Sequence, residues 1–173
     1  MITLLADGPQ RPEIAQFGRL VGLWRTEITR RDDDDRVRRA EGDWEFGYAL
    51  EGRAVIDVWQ VPSRRALGGA PRAAGQECGL CVRIWDPRLQ LWRFTFHGTA
   101  RCDLIHMFGR EVGGEIVLEG AEPGRLVRWI FSDVRPRTFS WRSERSHDGG
   151  AGWHVEQEVR ARRATGDDEG GAG

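Results

Sequence analysis

The sequence predicts an all-β protein: a ten-stranded antiparallel up-and-down barrel with one short N-terminal helix. Three observations predict it. Short runs of alternating apolar and polar residues recur along almost the whole chain. Glycine, proline or aspartate separates these runs, as expected for strands joined by tight turns. Eight tryptophans and one tyrosine lie mostly inside the runs, so each strand turns a bulky face toward one interior. An antiparallel sheet of so many short strands usually closes into a barrel.

The helix is predicted over residues 12–20. Pro12 stands where the first turn of a helix tolerates proline, and Ile14, Phe17 and Leu20 follow at helical spacing. We expect the helix to pack on the barrel or to plug one end of it, with these three side chains buried. After residue 20 the apolar period changes to two, which marks the first strand.

Ten strands follow in order. They are predicted at 24–29, 43–50, 53–61, 77–85, 91–97, 102–108, 115–118, 125–132, 137–145 and 152–162. Most connections are short, so neighbours in sequence should pair as a meander. Residues 63–75 form the one long irregular loop, which is basic. A sandwich of two sheets is the alternative, but no long Greek-key connection favours it.

Composition limits the organisation and the partners. We expect one domain over residues 1–163 and a disordered, glycine- and acid-rich tail at 164–173. With 26 basic and 27 acidic residues the net charge is -1, so no overall field would attract nucleic acid or an anionic membrane. No apolar run approaches the ~20 residues that span a bilayer, and the N-terminus lacks a signal-peptide pattern. We expect a cytoplasmic protein, for which a monomer and a homodimer are both compatible with the sequence.

Several motifs resemble those of calycin-type barrels. Leu-Val-Gly-Leu-Trp-Arg at 20–25 is similar to the leucine-x-glycine-x-tryptophan opening of lipocalins, fatty-acid-binding proteins and nitrobindins. Further motifs, similar to those of a loosely defined group of bacterial lipocalin-like proteins, are Asp-Val-Trp at 57–59, Trp-Asp-Pro at 85–87, Trp-Arg at 92–93 and Ser-His-Asp-Gly-Gly at 146–150. The resemblance covers residues 20–163. It implies a ten-stranded barrel with an internal cavity and a tryptophan, Trp24, that closes it, but it leaves the ligand open.

The resemblance also directs attention to His154, because nitrobindins hold haem through one histidine near the last strand. In the last predicted strand the apolar face carries Trp153, Val155, Gln157, Val159 and Ala161. His154 lies opposite, among charged residues, where we expect it to be solvated. We therefore predict no cofactor, and a haem-binding, nitrobindin-like protein is the least favoured function.

The candidate ligand-binding residues are aromatic or polar side chains on predicted inward faces. They are Trp44, Phe46, Tyr48, Trp59, Phe94, Phe96, His106, Trp129, Trp141 and Gln157. In a barrel, lower residues pack and upper ones line the cavity. Tyr48 and Gln157 bring polar groups to otherwise apolar faces, and such groups need partners, of which a ligand is one. In the second predicted strand, Trp44, Phe46, Tyr48 and Leu50 should share one face.

Asp57 and His106 are the candidate catalytic residues. On a strand, His106 shares a face with Leu104 and Phe108, which predicts that it points inward. There it is either a core histidine or a neutral base or donor for a ligand carbonyl. Asp57 stands between apolar neighbours and would need a partner such as an arginine. The arginines that could supply it are Arg53, Arg83, Arg128 and Arg142. Both faces of this strand are apolar, so parity leaves its inward face open.

No metal site is predicted. Cys78 and Cys81 form a C-x-x-C pattern within a strand, where residues three apart point to opposite faces, so we interpret them as two unrelated thiols. The run Asp32–Asp35 lacks the spacing of a calcium loop and is interpreted as a solvated hairpin tip.

The leading functional hypothesis is a lipocalin-like barrel that binds a small apolar or aromatic molecule in its cavity. One alternative is an isomerase or cyclase of secondary metabolism that uses the same cavity to fold a flexible substrate. Another is a partner-binding barrel without a ligand, with contacts at the helix and the basic loop. A titratable group with a perturbed pKa inside the cavity would favour the enzyme.

Overall fold

The computed structural model describes residues 8–31 and 36–165, together with the backbone of Leu5–Ala6. Its strands are β1 (Leu5–Ala6), β2 (Gly22–Arg31), β3 (Val37–Ala49), β4 (Ala54–Val61), β5 (Glu77–Asp86), β6 (Leu91–Gly98), β7 (Leu104–Val112), β8 (Glu115–Glu122), β9 (Arg125–Ser132), β10 (Thr138–Ser146) and β11 (His154–Arg163). A 3₁₀ turn (Pro12–Ile14) leads into helix α1 (Ala15–Gly18), and a second short helix, α2, spans Arg64–Leu67.

Strands β2 to β11 form a closed antiparallel barrel. Each strand pairs with its neighbour in sequence, and β11 returns to pair with β2. At that junction Val159 lies opposite Ile28, and both side chains are buried because inward positions alternate along each strand. The predicted up-and-down barrel with one short N-terminal helix is confirmed.

Helix α1 and the turn before it close one end of the barrel. Ile14, Phe17 and Leu20 are buried, as their spacing predicts. The Phe17 ring meets Trp92 edge-on at 5.0 Å between centroids. The Trp24 indole N–H donates to the carbonyl of Leu20 at 2.6 Å, which fixes the entry of the chain into β2. This end of the molecule is therefore sealed by packed side chains.

Two connections differ from the sequence prediction. Leu50 does not continue the inward face of β3, because it lies in the turn after β3 with a φ of +51° and is more than half exposed. The basic loop is not wholly irregular, since it contains α2. The hydroxyl of Ser63 accepts from the backbone N–H of Ala66 at the start of α2, and Gly68 ends the helix with a φ of +56°.

The remaining expectations concern the chain ends and membranes. The backbone N–H of Ala164 donates to the carbonyl of Leu23, so the chain is held to the barrel up to that residue. The rest of the predicted tail beyond residue 165, and the tip Asp32–Asp35, lie outside the described residues. Within the described ranges, no helix is long and apolar enough to cross a membrane.

Candidate ligand-binding cavity

The barrel interior opens at the end opposite α1. Helix α1 precedes the start of β2, whereas the opening lies where β2 ends and β3 begins. A cavity of about 510 Å³ extends inward from this opening. Its inner wall includes Trp44, Trp59, Phe96, Ile105, Trp129 and Trp141. The volume lies within the range of about 300–1,000 Å³ that is typical of small-molecule sites.

The aromatic wall is a connected set of edge-to-face contacts. Trp129 meets Phe96 at 5.4 Å and Trp141 at 5.5 Å, and Trp141 meets Trp44 at 5.8 Å. Trp44 in turn meets Trp59 at 4.8 Å. Such contacts favour one arrangement of the rings, so the wall is held in place by its own packing.

The position of Phe96 depends on glycine. A Cβ atom at Gly79 or at Gly98 would overlap the Phe96 ring. Gly79 lies opposite Gly98 on the paired strands β5 and β6, so the two absent side chains leave room for one ring. Glycine at these inward positions therefore lets an aromatic side chain lie against the wall.

Beneath the cavity lies a buried ion pair. The side chains of Asp57 and Arg83 are completely buried, and the Arg83 guanidinium donates to the Asp57 carboxylate. The Trp44 indole N–H donates to the other oxygen of Asp57 at 2.5 Å. Arg83 therefore supplies the arginine that Asp57 needs, and this face of β4 is the inward one. Neither residue lines the cavity.

Phenylalanine rings surround the guanidinium of Arg83. Its Cζ atom lies 4.6 Å from the ring centroid of Phe17, 5.4 Å from that of Phe46 and 5.0 Å from that of Phe94. Cation–π attraction compensates part of the cost of burying this charge. Burial, together with the nearby Asp57 carboxylate, raises the pKa of the Cys81 thiol well above its ordinary value, so this cavity-lining thiol is held in its neutral form.

The rim of the cavity carries charge of both signs. Its arginines are Arg30, Arg31, Arg38, Arg101 and Arg145, and its carboxylates are Glu77, Asp103, Glu122 and Glu156. Three of the carboxylates have arginine partners: Arg101 pairs with Asp103, Arg125 with Glu122, and Arg145 with Glu156. The rim is therefore polar and partly self-neutralised above an apolar wall.

Two rim carboxyl groups have pKa values above the ordinary value for glutamate. Burial raises the pKa of Glu77 above its ordinary value, although Arg101 and Arg30 oppose the change. Burial likewise raises the pKa of Glu156 against the opposing charge of Arg145. In both cases desolvation outweighs the neighbouring positive charge. One oxygen of Glu77 is buried and has no hydrogen-bond partner among the described residues.

Of the ten candidate ligand-binding residues, six line the cavity. They are Trp44, Trp59, Phe96, Trp129, Trp141 and Gln157. Phe46 and Phe94 instead pack around Arg83 in the sealed layer, so their predicted place on the cavity wall is wrong. Tyr48 is also absent from the wall. It lies against Gly18 at the helix-capped end, and burial raises the pKa of its hydroxyl.

The predicted inward position of His106 is wrong. Ile105 and Met107 are the buried residues of this part of β7, whereas Leu104, His106 and Phe108 are exposed on the outside. Cys102, where the predicted strand begins, precedes β7 and is exposed. His106 therefore cannot act as an acid, a base or a donor inside the cavity.

A β-bulge changes the face assignment in the last strand. The pairing of β10 with β11 shifts between Ser143 and Glu144, so Gln157 and Glu156 both line the cavity. By alternation from His154, Glu156 would lie on the outer face. His154 is exposed, and none of the four histidines lines the cavity. The wall thus lacks a histidine for haem. No group of His, Cys, Asp or Glu side chains among the described residues could hold a metal ion.

The sequence reasoning missed the charged rim residues. Arg30 continues the inward alternation of Trp24, Thr26 and Ile28, and Arg145 continues that of Trp141 and Ser143. This alternation was the signal that could have found them.

Comparison with known proteins identifies a fold and no family. No family model and no curated protein matches the chain. The S-type phycobiliprotein lyase CPES from Guillardia theta superposes with a TM-score of 0.57 over 90% of this chain and 94% of that chain, at 11% identity. Rv2717c from M. tuberculosis superposes with a TM-score of 0.60 over 92% of this chain and 100% of that chain, at 11% identity. The likeness is one of fold. It supports the closed antiparallel barrel.

Proposed function

We propose that this protein binds a small molecule whose apolar or aromatic body lies inside the barrel. The observation that carries the proposal is the cavity of about 510 Å³ behind the opening, walled by aromatic rings. A side-chain-filled interior would leave no room for such a ligand. Because the rings are already packed against one another, little further ordering is needed when a ligand enters, and this favours binding.

A probe titration tests this function. N-phenyl-1-naphthylamine is a neutral aromatic molecule whose fluorescence increases in apolar surroundings, and we expect saturable binding at one site per chain. The test variant is Ile105→Trp, which places a large ring on the cavity wall. Its matched control is Leu104→Trp, the adjacent residue on the same strand, which is exposed on the outside. Filling a cavity competes directly with a ligand for the same volume.

We expect Ile105→Trp to weaken probe binding by about tenfold or more, which corresponds to at least about 1.4 kcal/mol. Leu104→Trp should leave the affinity unchanged. Equal binding to both variants would contradict the proposal, as would the absence of saturable binding to the unmodified protein. Native mass spectrometry of the purified protein would identify any small molecule that it retains.

An isomerase or cyclase acting in the same cavity is the second candidate. The observation that favours it is the raised pKa of Glu77 and Glu156 at the rim. A carboxyl group that holds its proton at higher pH can act as a general acid. If a retained molecule is a substrate, Glu77→Gln should abolish its conversion and leave its affinity nearly unchanged. Conversion at an unaltered rate would exclude Glu77 as the acid.

A further inference from the structure

Among the described residues, the rim holds more arginines than carboxylates that could neutralise them. Asp103, Glu122 and Glu156 each have an arginine partner. Among the residues that the structure describes, Arg30 and Arg31 form no ion pair with a carboxylate. The remaining carboxyl group, Glu77, is disfavoured in its charged form by burial. Counted over the described residues, the opening of the cavity therefore carries a surplus of guanidinium groups.

Arg30 is held in position by a neutral partner. Its Nε and Nη2 atoms donate to the side-chain oxygen of Gln157 at 3.2 and 2.8 Å. Gln157 is also the residue of β11 that lies opposite Arg30 in the paired strand β2, so the contact joins these two strands at the rim. The amide orients the guanidinium without neutralising it. The remaining N–H groups of Arg30 stay available to an anion.

Arg145 reaches the same part of the rim from β10. Its guanidinium pairs with Glu156, and its Nε atom is buried without a hydrogen-bond partner in the described parts of the chain. Arg145 pairs with Glu156, Arg30 donates to the adjacent Gln157, and all four residues line the cavity, so the two guanidinium groups border one position at the opening. An anion at this position would interact with both guanidinium groups.

The same strand carries a second unsatisfied donor deeper in the wall. Trp141 lines the cavity and is 7% exposed, and its indole N–H is buried without a partner in the part of the chain that the structure describes. A buried donor without a partner is costly, and most such groups in folded proteins are bonded. The wall of β10 thus combines a π-face with N–H donors that no acceptor among the described residues satisfies.

We propose that the ligand is an aromatic anion, and that its carboxylate or sulfonate group binds between Arg30 and Arg145 while its ring system packs on the tryptophan wall. This inference rests on the proposed function, because it names the chemistry of the molecule in the same cavity. The apolar wall binds the rings, and the rim arginines select for the charge. Arginine suits this role because its planar N–H groups match the oxygens of such an anion.

Two probes that share one ring system test the inference. 1-Anilinonaphthalene-8-sulfonate carries the same rings as N-phenyl-1-naphthylamine with one added sulfonate. We expect the sulfonate probe to bind the protein about tenfold more tightly than the neutral probe, a typical effect of charge-assisted hydrogen bonds. Added salt should reduce this difference, because it screens the charges at the solvated rim.

The variants Arg30→Gln and Arg145→Gln should each weaken binding of the sulfonate probe by about five- to tenfold and leave the neutral probe unchanged. Unchanged binding of the neutral probe also shows that the variants are folded. The control is Arg162→Gln, which removes the same charge from an exposed outer position that contacts Glu27 at 3.4 Å. This control should bind both probes as the unmodified protein does.

A sulfonate preference that survives both rim replacements would overturn the inference, as would one that is lost equally in Arg162→Gln. Binding of the neutral probe with no preference for the sulfonate would also overturn it while leaving the proposed function intact. If neither probe binds saturably, the proposed function itself fails.

Discussion

The two ends of the barrel use arginine in opposite ways. At the end near α1, Arg83 is fully buried, paired with Asp57 and enclosed by phenylalanine rings. At the open end, Arg30 and Arg145 are partly solvated and lie beside a cavity rather than within packed side chains. The first arrangement leaves no space for another molecule. The second has space and unmatched charge.

The difference separates a structural charge from a functional one. A buried guanidinium is tolerated only when a carboxylate and its surroundings compensate its desolvation, and then removal of either partner is costly. A partly solvated guanidinium costs little to keep and little to remove, so its presence beside a cavity needs another explanation. The comparison therefore assigns Arg83 to stability and the rim arginines to binding, and each assignment can be tested.

The largest expected effect concerns the buried pair. Arg83→Met leaves the Asp57 carboxylate buried beside the Trp44 indole without its cation. We expect the free energy of unfolding to fall by about 3–5 kcal/mol, measured by urea denaturation at neutral pH. The control Arg93→Met removes an exposed arginine that pairs with Asp86 at the surface and should change stability by less than about 1 kcal/mol.

A second variant keeps this prediction falsifiable. Replacing both partners, Asp57→Leu with Arg83→Met, removes the unpaired charge and should recover most of the lost stability, since apolar side chains of similar volume often replace a buried pair without loss. An Arg83→Met variant as stable as Arg93→Met would contradict a structural role for Arg83.

The sequence pattern of β4 predicts part of the Asp57–Arg83 pair. The apolar neighbours of Asp57 predict that it needs a partner, and Arg83 is one of the four arginines that could supply it. Both faces of β4 are apolar, however, so alternation could not decide which one points inward. Only the pairing of β4 with β5, which places Asp57 opposite Cys81 and two positions from Arg83, decides it.

The errors in the predicted site have the same origin. In β7 the apolar residues Leu104 and Phe108 lie on the exposed face. Because apolar residues usually mark the buried face, they predict an inward position for His106, which shares their face and is exposed as well. In β11 the bulge opposite Ser143 places both Glu156 and Gln157 at the cavity, and alternation cannot anticipate an extra residue. The barrel was predictable because ten strands repeat the same alternation of apolar and polar residues. The site was less predictable, because it depends on which face of each single strand points inward.

The next largest loss of stability is expected when a phenylalanine is replaced at the sealed end, compared with one at the open end. Phe17 is fully buried at the sealed end, whereas Phe96 borders the cavity. We expect Phe17→Ala to lower the free energy of unfolding by about 3 kcal/mol, because it creates a void among packed rings. Phe96→Ala should cost less than half as much and should alter the affinity for N-phenyl-1-naphthylamine. Equal losses in urea denaturation would contradict this contrast between the sealed end and the cavity wall.

A smaller effect appears in the dependence of stability on pH. Burial raises the pKa of Glu77 in the folded protein, so its contribution to stability is present below the unfolded pKa of about 4.3 and is lost as pH rises through the folded value. Glu77→Gln removes this loss. The variant should therefore gain stability relative to the unmodified protein between pH 4 and pH 7, by less than about 1 kcal/mol because the group is partly solvated.

Glu144 on the outer face should behave in the opposite way. Burial alone would raise the pKa of Glu144, but hydrogen bonds from Arg142 and Arg128 outweigh it and lower the pKa. Its contribution is therefore present above the unfolded pKa and lost as pH falls. Glu144→Gln should lose stability relative to the unmodified protein as pH rises from 3 to 7. The same sign for both variants, measured by urea denaturation across this range, would contradict the contrast between rim and outer face.

The smallest expected effect is on stability at the rim. Arg145→Gln removes a guanidinium whose Nε atom has no partner among the described residues and whose pKa is lowered by burial, so the group is desolvated without full compensation. The lost pairing with Glu156 and the relieved desolvation should nearly cancel, which leaves the free energy of unfolding within about 1 kcal/mol of its original value. Urea denaturation of Arg145→Gln and Arg83→Met under the same conditions measures both free energies of unfolding. A loss as large as that of Arg83→Met would make Arg145 a structural residue, whereas stability retained together with weaker binding of the sulfonate probe would separate the two uses of arginine.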